Sequence, residues 1–140
     1  MSSLTYREAR DDIFAVIKTA WDTTGNVIFW PDKAGKAPSA PASWARVALQ
    51  HGNPGSQSLT GGNGTIKFER QGVLVIQVFS PAGQGLSEGY DLCKVLTDAL
   101  EGKATSNGVW FKRVRIVEAG NEGDYSQLNV IAEFNYDEVK

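Results

Sequence analysis

Gln127-Leu128-Asn129-Val130-Ile131-Ala132-Glu133-Phe134-Asn135-Tyr136 alternates along its length. Leu128, Val130, Ala132, Phe134 and Tyr136 take one side, and Gln127, Asn129, Glu133 and Asn135 take the other. Successive side chains of an extended chain point to opposite faces, so this period of two describes a strand with one face buried and one face wet. Antiparallel sheets carry that pattern, whereas strands buried on both faces read as continuous apolar runs. Upstream, Val109 to Glu118 is the preceding strand, with Lys112, Arg113 and Arg115 among Val114 and Ile116, and a turn rich in Gly and Asn joins the two. Before it, Leu86, Tyr90, Cys93, Leu96, Ala99 and Leu100 recur at three- and four-residue spacing. They form the buried stripe of a helix that starts after a Pro81, Gly83, Gly85 turn, capped by Ser87 or by the turn itself, and stops at Gly102.

Thr65 to Arg70 alternates Ile66 and Phe68 with Lys67 and Glu69. After Gly72 the run Val73 to Phe79 is apolar on both faces except at Gln77, as in a central strand. Trp44 to Gln50 and Asn26 to Trp30 are two further strands, the latter ended by Pro31. From Leu4 to Trp21 the residues Tyr6, Ala9, Ile13, Val16, Ile17 and Ala20 share a helical stripe, with Ser3 as N-cap, Gly25 as stop, and Arg7, Glu8, Asp11, Asp12 and Lys18 outward. Helices that do not alternate regularly with strands define an α+β fold. The expectation is one domain over residues 1–140, a mainly antiparallel sheet of about six strands with two helices packed on one face.

Composition narrows the function classes. At 140 residues with 41% hydrophobic and 21% charged positions, the chain can bury a core without staples. A net charge of −2 argues against binding nucleic acid through bulk positive charge, and no specific nucleic-acid partner is expected. One Cys allows no intrachain disulfide, and one Cys with one His leaves too few soft ligands for zinc. No apolar run approaches the roughly 20 residues that cross a bilayer, and the polar start lacks a signal-peptide core, so a cytoplasmic protein without a membrane partner is expected.

The residues that could carry chemistry each have a simpler reading. His51 opens a glycine-rich segment without a patterned Ser or Cys and reads as a solvated loop histidine. Cys93 lies on the apolar helix stripe and reads as a buried structural thiol. Asp11 with Asp12 is a solvated helix face, and Glu88 with Asp91 supplies acids to a first helical turn. Gly83-Gln84-Gly85-Leu86-Ser87-Glu88-Gly89 follows a strand and opens a helix, but its third glycine comes one residue late for a dinucleotide fingerprint, so it reads as a tight turn. Gly102-Lys103-Ala104-Thr105 lacks the first glycine and the hydroxyl of a phosphate loop, and Asn63-Gly64-Thr65 fits a glycosylation acceptor with no route to modification. No constellation forms an active site; neither catalysis nor a cofactor is expected.

What remains are contact surfaces. Asp32 to Ser43 has the composition of an extended arm or loop. His51 to Gly64, with five glycines and no periodicity, is a long loop whose His51, Gln57, Ser58, Leu59, Gly61 and Gly62 are candidate interface residues, Leu59 being its only large aliphatic anchor. Lys112, Arg113 and Arg115 beside Trp110 and Phe111 form a small basic aromatic patch, with both arginines on one strand face. It is either a solvated sheet face or a contact surface for protein or nucleic acid. Trp30 and Trp44 are candidate exposed aromatics.

Trp30-Pro31-Asp32, Ser58-Leu59 with Gly61 and Gly62, Gly72 opening Val73 to Phe79, Ser80-Pro81-Ala82-Gly83-Gln84-Gly85, and Gln127-Leu128-Asn129-Val130 running to Phe134-Asn135-Tyr136 occur in an order and spacing that cover nearly the whole chain. In this colinearity the chain resembles the phage tail terminator-like family of long-tailed bacteriophages, with Trp30, Pro31, Pro81, Gly83 and Gly85 as family-like turn residues. The resemblance implies a virion structural protein that assembles with itself into a ring, a hexamer, on the last layer of the tail tube. Such a ring stops addition of the tail tube protein and presents a joining surface to the head connector or head-completion protein. It would sit at the neck end of the virion tail, after assembly in the host cytoplasm. Two alternatives stand beside it: another neck or tail-completion subunit, and a small nucleotide-binding domain using the Gly83 to Gly89 turn.

Overall fold

The computed structural model describes residues 3–31, 42–52, 57–59, 66–83 and 86–139, with the backbone alone at 57–59 and at Glu122. The elements in chain order are α1 (Tyr6–Asp22), β1 (Val27–Phe29), β2 (Trp44–His51), β3 (Gln57–Leu59), β4 (Ile66–Pro81), α2 (Ser87–Leu100), β5 (Trp110–Glu122) and β6 (Tyr125–Val139). The sheet runs β1-β2-β4-β6-β5. β3 lies off this path and pairs with the start of β4, next to the stretch of β4 that β2 occupies. β1 runs parallel to β2, and every other pairing is antiparallel, so the sheet is mixed.

β6 alternates buried and half-buried residues from Ser126 to Val139, as its sequence demands. Its buried positions stand opposite Gly72, Leu74, Ile76 and Val78 of β4, which stand in turn opposite His51, Leu49, Val47 and Ala45 of β2. This face carries both helices: Ala9, Ile13, Ile17 and Trp21 of α1 and Leu92, Cys93, Leu96 and Leu100 of α2 join it in one core cluster. Full burial of each large apolar side chain there contributes about 1.5–3 kcal/mol. α1 begins with a capping box. The Thr5 hydroxyl accepts from the Glu8 amide, and the Glu8 carboxylate accepts from the Thr5 amide, so Thr5 is the N-cap and not Ser3, whose hydroxyl instead accepts from the Val139 amide. The positive φ of Gly25 follows the helix end, as expected of a stop. α2 starts without a side-chain cap; Tyr90 is 38% exposed and leaves the buried stripe to Gly89 and Leu92.

Two other expectations from the sequence change. The break expected at Gly72 does not exist, since β4 is a single strand of 16 residues. Gly72 is there because the Phe134 ring and the β2 backbone approach it too closely for any side chain. Within the expected loop from His51 to Gly64, His51 ends β2 and residues 57–59 form β3. Positions 32–41 of the expected arm, together with Gly61, Gly62, Gly85 and the Asn63-Gly64-Thr65 triplet, lie outside the described residues.

Candidate interaction surface

His51 is not a solvated loop histidine. As the last residue of β2 it turns to the helix-bearing face, where its Nε2 and the Tyr136 hydroxyl are 2.7 Å apart. The Tyr6 ring meets it edge-on at 4.7 Å, and Phe134 and Tyr136 flank it. Behind this group Arg70 donates to Glu138 at 3.1 Å, both side chains being nearly buried, and its guanidinium lies over the rings of Tyr6 and Phe68. Tyr6, Arg70, Tyr136 and Glu138 therefore form one polar cluster that motif reading missed. The available signal was Glu138, a carboxylate in phase with the apolar side of β6, which requires a buried partner.

Burial, and secondarily the charge of Arg70, hold the His51 pKa below its ordinary value, and burial raises that of Tyr136. A depressed histidine pKa means that the unfolded chain takes up a proton before the native protein does. The contribution of neutral His51 is complete above the ordinary histidine value of about 6.5, declines as pH falls below it, and stops declining once native His51 itself protonates. Melting temperatures measured from pH 8 to pH 5 should fall more steeply for the wild type than for His51→Asn. Parallel curves would contradict this role.

The other face of the sheet carries no helix among the described residues. Its centre is a half-exposed mixture in which Ala48, Val75, Ile131 and Arg115 stand in one cross-strand row, flanked by Gln50, Val73 and Glu133. Among the described residues only its β1 end is closed. There Trp44 stacks on Phe79 at 4.1 Å, with Phe29 and Tyr125 edge-on and Arg46 above, so Trp44 is buried and not exposed. Trp30 is half-buried against Phe14.

The basic patch lies at the opposite edge. Between Lys112 and Arg115 the β5 register shifts through a bulge, and Arg113 takes φ +52. The bulge brings both arginines to Glu133: Arg113 Nη1 donates at 2.8 Å and Arg115 Nη1 lies at 3.8 Å. Lys112 and Glu133 also line a depression of about 240 Å³ with Gly52, Gln71, Gly72, Val73 and Phe134. Gly52 directly follows His51, so the start of the 51–64 segment and the basic patch, 60 residues apart in sequence, share this depression.

The remaining candidates stay apart. Asp11 pairs with Arg7 at 3.7 Å and Asp12 accepts from Asn107, while Glu88 and Asp91 are exposed on α2. Cys93 is fully buried, and that burial pushes its thiol up to about 12, far from a reactive thiolate. Gly83 has the positive φ of a turn, and Pro81 ends β4. Among the described residues no cluster of three or more His, Cys, Asp or Glu could hold a metal ion.

No family model matches the chain, and no curated protein matches it. Solved structures do. One, designated by a sequence identifier alone, shares 14% identity and superposes with a TM-score of 0.64 over 91% of this chain and 94% of its own. A second, from the virion of a native gene transfer agent particle, shares 18% identity with a TM-score of 0.53, covering 88% of this chain and 82% of that one. The likeness is one of fold.

Proposed function

We propose that the chain is a structural protein of a phage-like virion that caps the tail tube as a ring, ends tube polymerisation and offers the joining surface for the head connector. The observation that carries this reading is the fold shared with a chain of the gene transfer agent virion, over most of both chains. The colinear resemblance to tail terminator-like proteins supports the finer position at the neck end and the hexameric ring. The helix-free sheet face, with amides and cations around a half-exposed apolar row, suits a protein that works by contact. In this role it needs neither catalysis nor a cofactor, and its partners are its own copies, the tail tube protein and the head connector.

Removing the gene from the producing particle tests the reading. Tubes of uncontrolled length, seen by negative-stain microscopy, are the expected result. Tubes of normal length that fail to join heads would instead assign the chain to a neighbouring neck or tail-completion position.

A further inference from the structure

β5 is the outer strand of the sheet, with no strand beyond it among the described residues, and its bulge carries an unusual backbone. Arg113 at φ +52 occupies the left-handed region that residues with a Cβ rarely enter. The result is that Arg113 and Arg115 both reach the Glu133 carboxylate, Arg115 also donates to the Arg113 carbonyl at 2.8 Å, and Lys112 stands opposite Glu133 in the strand register. Lys112 has no ion pair among the described residues. Bulges recur where a strand must re-aim side chains, and here the two guanidiniums are gathered at an exposed edge with charge left over. Trp110, 48% exposed at the start of the same strand, supplies the apolar anchor that surface ion pairs lack.

The complementary charge is on the chain itself. Glu88, Asp91 and Asp98 fall on one side of α2, around the single exposed cation Lys94, and Glu101 follows as the helix C-cap; all four carboxylates are exposed. Among the described residues only Asp98 has an ion pair, with Lys94 at 2.6 Å. We propose that the Arg113 to Arg115 bulge of one subunit docks on the acidic outer side of α2 in a second copy. The two patches are different surfaces, so the contact is head-to-tail, the kind that closes rings. This rests on the ring assembly proposed above and assigns the surfaces that form it.

Association of the full chain, followed by light scattering across concentration and salt, tests the docking. Wild-type assembly should weaken as salt rises. R113E/R115E and E88K/D91K should each associate about tenfold more weakly or worse, and an equimolar mixture of the two should regain assembly because the swapped charges meet. R113G separates docking from folding: glycine accepts φ +52, so its melting temperature should equal or exceed that of the wild type while its association still falls. Assembly of R113E/R115E at wild-type strength, or a mixture that regains nothing, would overturn the docking and leave the ring intact. A wild type that stays monomeric at every concentration would overturn the docking and the ring together.

Discussion

Gly72→Ala is expected to lower the stability of the protein by about 3 kcal/mol, an effect of the size seen when a well-packed interior is overfilled. A Cβ at this position would press on the Gln50 carbonyl oxygen, and would stand 2.6 Å from Phe134 Cζ and 3.0 Å from His51 Cα. Two of these atoms belong to the β2 backbone and cannot swing away. β4 would have to separate from β2 at the pairing of Gly72 with His51, taking His51 from Tyr136. Urea unfolding should show the loss, and Phe134→Leu in the same background should recover only part of it, because the Gln50 carbonyl remains. Gly52→Ala is the control, since among the described residues its Cβ would meet only the Gln71 carbonyl oxygen, at an ordinary 3.7 Å. If Gly72→Ala unfolds within 0.5 kcal/mol or so of the wild type, the sheet is looser here than the close approach of Phe134 requires.

Glu138→Ala should cost about 3–5 kcal/mol, because it strands the Arg70 charge in a site from which water is largely excluded. Arg70 and Glu138 are only 11% and 12% exposed, and Arg70 Nε already has no hydrogen-bond partner among the described residues. The surrounding rings of Tyr6 and Phe68 favour a cation but cannot replace a carboxylate. The double variant Arg70→Met with Glu138→Leu should therefore be more stable than Glu138→Ala alone, since an apolar pair leaves no buried charge. Lys18 and Asp22, paired at 2.8 Å on the open side of α1, provide the contrast. Breaking that pair should cost at most about 0.5 kcal/mol, and less in high salt. Equal losses for the two pairs would show that the Arg70 site is wetter than its exposure indicates.

The α+β class, the two faces of β6 and both helix stripes apart from Tyr6 and Tyr90, which are exposed, were legible in the sequence because each depends on the geometry of a single element. A period of two or of 3.6 residues is written in consecutive residues, and burying the apolar side follows wherever the element docks. Cys93 was legible for the same reason, as its place on the α2 stripe already implied burial. The basic patch was legible as three neighbouring cations.

Contacts between distant residues were not legible. Gly72 reads locally as a break, and only the Phe134 ring and the β2 backbone, brought against it by pairing, make it an interior strand position. His51 reads as a loop residue until Tyr136, 85 positions away, meets its ring. Trp44 reads as exposed until Phe79 stacks on it, and the two arginines read as an even strand face until a bulge turns both toward Glu133. Local spacing determines which side of an element is apolar. Which atoms that side then meets is decided by strand register and by the space left between packed elements, and neither exists until the sheet has formed.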